Sequence, residues 1–252
     1  MIKVVQIGTG KMSKYTMRYL IEKGCELVGA FDINENVIGK KVSDVFSDVK
    51  SDIKIENITT LENRLNEIKP DIAIVTTMSL LNDLYDSLMI CAKCGVNAIT
   101  TCEETFDSYN SNPVKTKEID KVAKENNCTI TGSGYQDVYW GNLISIIGGS
   151  THKITKIKGS SSYNVEDYGI ALAKAHGAGL TLEQFDKEVA SVDKISDSQR
   201  NDLINKGEYL PSYMWNVNGW LCDKLHLTPI SQTQKCVPQT HTEDINSSTL
   251  NM

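Results

Sequence analysis

An α/β fold, with a parallel sheet covered by helices on both faces, is predicted by three observations. A short apolar run enters a Gly-rich turn at Gly8-Thr9-Gly10; short apolar runs alternate with helical patterns through Thr131; and the character of the chain changes after Gly132. Parallel neighbours need a crossover connection, and the crossover helix must bury its apolar stripe, so the alternation implies a doubly wound sheet. Residues 1–131 are expected to form this first domain and residues 132–252 a second, α+β domain.

Val4 to Ile7 reads as a buried strand by its short, mostly apolar run, and Met12 to Lys23 carries Met12, Tyr15, Met17, Tyr19, Leu20 and Ile21 at mostly helical spacing before Gly24 stops it. Glu26 to Asp32 is the second strand and completes a strand-helix-strand unit of the usual length. Ile53 to Ile55 is a weak strand, Leu61 to Ile68 a short helix, and Asp71 to Thr77 a strongly apolar strand. A helix follows from Leu80 to Cys94 with Gly95 as its cap, then a strand from Asn97 to Thr101. Pro113 to Asn126 reads as a helix opened by a proline, and Cys128 to Thr131 is the sixth strand. In the second part, Val138 to Ile147 is expected to be helical and Lys153 to Tyr163 to be an antiparallel strand. Gly169 to Arg200 is helical with a break at Gly177-Ala178-Gly179. The polar stretch from Ser231 to Met252 reads as an unfinished strand region, so the substrate domain is expected to be incomplete.

The 252-residue chain is 40% hydrophobic and carries a net charge of −6, with its cations scattered among acids. No basic stripe offers itself to a phosphate backbone, which argues against nucleic acid as a partner. No apolar stretch approaches the roughly 18 residues that span a bilayer, and no leader succession precedes the first strand, so the expected location is the cytoplasm. The seven cysteines are odd in number and read as free thiols. Cys91-Ala92-Lys93-Cys94 has the C-x-x-C spelling but lacks a second pair of ligands, and no metal site is expected.

Gly8-Thr9-Gly10, between a strand and a helix, is where a dinucleotide pyrophosphate is expected. The first glycine permits the tight turn and the second lets the backbone approach the phosphates at the helix N-terminus. Ser13 takes the third glycine's place, which gives G-x-G-x-x-S. Asp32 lies 22 residues after Gly10 at the tip of the second strand, where a carboxylate can accept the ribose hydroxyls. An acid there repels a ribose 2′-phosphate, so NAD is expected, with NADP as the alternative that Lys40 and Lys41 would assist. The whole arrangement is of the Rossmann type. The expected cofactor residues are Gly8, Thr9, Gly10, Lys11, Met12, Asp32, Thr76, Thr77, Met78 and Thr101.

Ligands of open parallel sheets lie outside the carboxyl ends of the strands. Thr76-Thr77-Met78-Ser79 should pass beneath a ribose; Thr101-Cys102-Glu103-Glu104 and Gly132-Ser133-Gly134-Tyr135-Gln136-Asp137 should face the nicotinamide. Of the adjacent acids only one can face the cleft, and Glu103 is preferred, with Glu104 solvated or capping the next segment. Asp137, beside Tyr135, Tyr139 and Trp140, suits a substrate ammonium or, in the competing reading, caps a helix. His176, ahead of the Gly177-Ala178-Gly179 break, offers an imidazole, the side chain best suited to a general base.

The order of Val4-Val5-Gln6-Ile7-Gly8-Thr9-Gly10-Lys11-Met12, Thr101-Cys102-Glu103-Glu104, Gly132-Ser133-Gly134 and His176-Gly177-Ala178-Gly179-Leu180-Thr181 resembles the 2,4-diaminopentanoate dehydrogenase family of ornithine fermentation. The likeness runs along most of the chain. The first domain of that family is similar to dihydrodipicolinate reductases, whose His-His and Lys signature is absent here. The Glu-Lys-Pro strand end of sugar and inositol dehydrogenases is also missing. The resemblance implies oxidative deamination of the C4 amine of 2,4-diaminopentanoate to 2-amino-4-oxopentanoate and ammonia, with NAD or NADP as hydride acceptor. It also implies a longer chain than this one, in keeping with the unfinished tail.

Such chemistry needs proton transfers, for which Glu103, Asp137 and His176 are the candidates, and a partner for the substrate carboxylate, for which Arg200 and Lys158 are both open. A small diamino acid is the expected partner and a homodimer the expected assembly. An imine reductase like dihydrodipicolinate reductase, or a dinucleotide-binding sensor without catalysis, are the alternatives, since fold does not imply function.

Overall fold

In a computed structural model of the protein, β1 (Lys3–Ile7), β2 (Glu26–Asp32), β3 (Ile55–Asn57), β4 (Ile72–Val75), β5 (Asn97–Thr100) and β6 (Ile130–Gly132) form one six-stranded sheet. Every neighbouring pair is parallel and the order is β3-β2-β1-β4-β5-β6. The chain steps outward from β1 to β2 and β3, then returns to β4 on the other side of β1. That reversal opens a crevice above the carboxyl ends of β1 and β4, the place where such sheets receive ligands. The structure describes residues 1–134, 137–162, 164, 170–240, 243, 246, 247 and 250, with backbone only for 137, 138, 171, 172 and 175.

Helices α1 (Ser13–Glu22), α2 (Val42–Val45), α3 (Leu61–Ile68), α4 (Leu81–Lys93) and α5 (Pro113–Glu125) make the crossovers. Two apolar clusters separate the faces. Val5, Ile7, Ala73 and Val75 pack with Leu61 and Leu65 of α3 and Leu81, Leu84 and Leu88 of α4. Leu27 and Ala30 of β2 pack with Met17 of α1, Val42 and Ile55. The doubly wound fold read from the alternating pattern is the fold observed. β3 lies two residues later than its pattern suggested: Ile55 pairs with Ala30 and enters the Met17 cluster, while the carbonyl of Ile53 accepts from Val42 N–H.

After Gly132 the regular elements among the described residues are all helical. A π-helical turn over Asp137–Ile144 runs into α6 (Ser145–Gly149), followed by α7 (Ile170–Ala175), α8 (Leu182–Glu188), α9 (Asp197–Lys206) and α10 (Tyr213–Lys224). Capping boxes start α8 at Thr181 and α9 at Ser196, and the break at Gly177-Ala178-Gly179 separates α7 from α8 as its glycines suggested. The antiparallel strand expected over Lys153–Tyr163 is not formed. Residues 153–162 carry no regular secondary structure, Tyr163 lies outside the described residues, and no strand follows Gly132 among those described. A strand needs a neighbour for its backbone groups, and alternation alone cannot supply one. α10 returns to the sheet, where Val217 and Leu221 pack on Phe106. No described helix is long and apolar enough to cross a membrane.

Candidate functional site

The Gly8 turn leaves β1 with φ of +84°, a left-handed conformation that favours glycine. A Cβ on Gly8 would lie 2.7 Å from Thr77 Cγ2 and 2.8 Å from the Thr76 carbonyl, so a side chain is excluded by neighbours as well as by conformation. Gly10 differs: a Cβ there would meet nothing within 4 Å. The space in front of Gly10 is open, and no hydrogen bond among the described residues takes the N–H of Gly10 or Met12. With α1 beginning at Ser13, these donors lie at a helix N-terminus, where negative charge is favoured. Ser13 is fully buried and its hydroxyl donates to the Gly10 carbonyl at 2.7 Å, so the serine in the third-glycine position closes the loop onto α1.

Asp32, at the end of β2, holds the same loop. Its Oδ2 accepts the Thr9 amide at 2.5 Å and the Thr9 hydroxyl at 2.6 Å, and its Oδ1 accepts the Asn34 amide at 2.8 Å. Burial pushes this carboxyl up, but the Thr9 hydroxyl and the amides of Asn34, Thr9 and Ile33 outweigh it, and the net effect is a pKa below the ordinary value. Asp32 therefore stays ionised. Each oxygen retains acceptor capacity for a ribose hydroxyl, although part of the carboxylate is already used to fix Thr9. Lys41 is ion-paired to Asp52 at 2.9 Å.

A residue the sequence reading passed over stands behind the loop. Gln6 is fully buried in β1; its Nε2 donates to the Gly8 carbonyl at 3.0 Å and to Thr76 Oγ1 at 2.8 Å, and its Oε1 accepts from Thr16 Oγ1 at 3.0 Å. Thr76 in turn donates to the Gly8 carbonyl at 3.2 Å. Gln6 and Thr76 thus act on the turn rather than on open space. Thr77, Met78 and Thr101 are exposed at the ends of β4 and β5, and the Lys11 and Met12 side chains are exposed beside the loop. The signal for Gln6 was present: an amide amid the apolar run Val4-Val5-Gln6-Ile7 needs buried partners.

At the end of β5 the two glutamates part. Glu104 is 3% exposed and accepts the Leu81 amide and the Ser111 hydroxyl, both at 2.7 Å. It caps the N-terminus of α4, where the helix dipole favours a carboxylate. Asn216 of α10 donates to the Glu104 carbonyl at 3.2 Å and the Asp107 carbonyl at 2.8 Å, pinning α10 to this turn. Glu103 is partly buried; burial pushes its carboxyl above the ordinary value, and the His176 imidazole opposes that rise. The structure thus brings Glu103 and His176 within electrostatic reach of each other although 73 residues separate them. His176 follows α7 just before Gly177, whose φ of +80° turns the chain; a Cβ on Gly177 would lie 2.6 Å from the Phe185 ring.

Asp137 opens the π-helical turn, but its side chain, like Tyr135 and Gln136, lies outside the described residues. Arg200 is not available to a substrate. It is 5% exposed, bonded to Asp197 Oδ1 at 2.6 Å and stacked 5.3 Å from the Trp215 ring centroid. Lys158 is exposed in the irregular stretch. The seven cysteines are free, and among the described residues no three His, Cys, Asp or Glu side chains gather as metal ligands.

No protein-family model matches the chain. Over 190 residues it is 25% identical to a curated protein described as 2,4-diaminopentanoate dehydrogenase, from Acetoanaerobium sticklandii; the match takes in 75% of this chain and 54% of that protein. The chain thus spans about half the length of that curated relative. Among solved structures it is similar to the amine dehydrogenase from Mycobacterium smegmatis, at 31% identity and a TM-score of 0.85, covering 100% of this chain and 70% of the other.

Proposed function

The chain belongs to the amine dehydrogenase family represented by the Mycobacterium smegmatis structure, and on that premise we propose that it catalyses NAD-dependent oxidative deamination of a small diamino acid. The substrate in this reading is 2,4-diaminopentanoate, which loses its C4 amine to give 2-amino-4-oxopentanoate and ammonia. The observation that carries the chemistry is the partly buried Glu103, raised in pKa and faced by His176, at the end of a strand next but one to the Gly8 loop.

The residues of the loop fit a dinucleotide. Gly8 makes the turn, Gly10 leaves room for the pyrophosphate, the N–H groups at the start of α1 receive its charge, and ionised Asp32 receives ribose hydroxyls. That carboxylate disfavours a 2′-phosphate, so NAD is preferred. When bound, the nicotinamide supplies the hydride acceptor.

The chain's own task is proton management. An alkylammonium cannot release hydride until it has lost a proton, and a carboxylate whose pKa lies above the ordinary glutamate value is a better base for that step. Glu103 takes this proton. His176, just after α7, moderates the rise of the Glu103 pKa. Hydrolysis of the resulting iminium consumes one water and releases ammonium, so each turnover yields one keto acid, one NADH, one ammonium and one proton. Asp137 remains a proposed partner for the second ammonium of the substrate.

The test is a comparison of substrates. Reduction of NAD is expected with 2,4-diaminopentanoate and not with 2-aminopentanoate, which lacks the C4 amine. Comparable reduction with 2-aminopentanoate would contradict deamination at C4.

A further inference from the structure

A half-open cavity of about 480 Å³ lies along the outer edge of β6, lined by α4, α5, α10 and the turns that follow β5. It shares no lining residue with the Gly8 loop, with Glu103 or with His176. Its apolar lining includes Leu88, Phe106, Ile119, Ala123, Ile130 and Trp220, with the Phe106 and Trp220 rings in edge contact, centroids 4.1 Å apart.

The polar lining is acidic. Asp120 is neutralised by Lys124 at 2.6 Å, which leaves Asp107 and Asp223. Asp223 is exposed, at the rim. Asp107 is inside: it is 8% exposed, and its carboxylate accepts no hydrogen bond and joins no ion pair among the described residues. The backbone carbonyl of Asp107 is used by Asn216, but that leaves the carboxylate itself without a partner. Its position is built, because a Cβ on Gly219 of α10 would lie 2.1 Å from Asp107 Oδ2. Gly219, in the middle of a helix, leaves room for this carboxylate and for the Asn110 carboxamide beside it, whose Nδ2 would lie 2.4 Å from the same Cβ.

A buried carboxylate with no partner in the chain is satisfied either by a proton or by a cation, and above the pH at which it ionises a cation is favoured. A metal would need further ligands, and among the described residues no third His, Cys, Asp or Glu joins this pair in a ligating group. Much of the remaining lining is hydrocarbon and aromatic, which suits an organic cation, and the Trp220 ring already attracts an ammonium, that of Lys224 at 5.1 Å. We propose that this cavity binds a small primary aliphatic ammonium, its charged end on the Asp107 carboxylate and its hydrocarbon against Phe106, Ile119 and Ile130. The site stands apart from the proposed reaction and does not rest on it.

The experiment titrates n-butylammonium chloride into the protein at pH 8 without nicotinamide, following the ¹H–¹⁵N signals of the Trp220 indole and the Asp107 amide. n-Butanol, of the same shape but neutral, is the control. Saturable shifts of both signals are expected, with at least tenfold weaker binding of n-butanol, at least tenfold weaker binding of n-butylammonium by Asp107→Asn, and unchanged binding by Glu103→Gln. The butanol comparison uses the unaltered protein and so stands whether or not the variant folds. Absence of saturation, equal affinity for n-butanol, or shifts centred on Gly8 to Met12 or Glu103 would overturn the proposal.

Discussion

Asp32 and Thr9 are joined twice, through the Thr9 amide at 2.5 Å and its hydroxyl at 2.6 Å, both to the same carboxylate oxygen. The acid at the tip of β2 is therefore a brace for the Gly8 loop as well as a candidate ribose ligand. The two roles separate by mutation. Thr9→Val removes only the brace's hydroxyl bond and should weaken NAD and NADP alike, by a few-fold, in keeping with about 1 kcal/mol for such a bond. Asp32→Ala should weaken NAD by tenfold or more and NADP less, because the repulsion of a 2′-phosphate goes with it. Titration of both cofactors by calorimetry checks this; equal losses in Asp32→Ala would mean that the carboxylate does not reach the ribose.

The two glycines of the loop should behave differently. Gly8→Ala places a methyl against Thr76 and Thr77 in a left-handed conformation and should lower stability by roughly 1–2 kcal/mol or more, together with NAD affinity. Gly10→Ala meets no neighbour and should melt like the parent, yet bind NAD at least tenfold more weakly. Thermal melts paired with NAD titration decide it, and an unchanged NAD affinity in Gly10→Ala would remove the pyrophosphate from this loop.

Glu103→Gln should reduce kcat by about 10² or more while leaving the NAD Kd within a few-fold, the range for loss of a general base. The acid limb of the kcat/KM profile should lie above the ordinary glutamate value, since burial raises Glu103. His176 pulls that pKa down, so His176→Phe should move the limb to higher pH. A limb that stays in place would disconnect the two residues.

Asp107 makes stability depend on pH in an unusual sense. Burial, with Asp223 nearby, pushes its carboxyl up to about 7, from 3.8 in the unfolded chain. The other groups around it are Cys222 on α10, Tyr109 on its own turn, the Asp120–Lys124 pair on α5 and Cys128 before β6. Between those two pKa values the folded state holds a proton that the unfolded state has lost, so this group's contribution falls as pH rises from about 4 to about 7 and is lowest above that. The span is on the order of 2–4 kcal/mol. Asp107→Asn should abolish that slope and be the more stable protein at pH 8, as read from urea unfolding at several pH values.

Most of the sheet was legible because its elements have strong local signals. Ile72 to Val75 is an unbroken apolar run and Val4 to Ile7 is broken only by Gln6, and Gly24 and Gly95 end helices with φ of +77° and +66°. The Gly8 loop and Asp32 were legible for the same reason, since strand, turn, helix and acid follow at short spacing. What escaped depends on distant partners. The sequence leaves Glu104 solvated or capping the next segment; that it caps α4, the helix before it, is decided by Leu81 and Ser111, and Asn216 reaches the turn after β5 across more than a hundred residues. α10, which carries Asn216 and Gly219 on its buried side, has no clean apolar stripe to announce it. Arg200 looked like a free cation because nothing in its neighbourhood of sequence reveals the Trp215 ring above it.

The most direct measurement is the mass balance of one reaction: the protein, NAD and 2,4-diaminopentanoate, with absorbance at 340 nm and released ammonia followed together. NADH and ammonia in a ratio of one to one, with 2-amino-4-oxopentanoate as the carbon product, is the predicted result. Saturable NAD binding without formation of either product would contradict the assignment of amine oxidation to this chain.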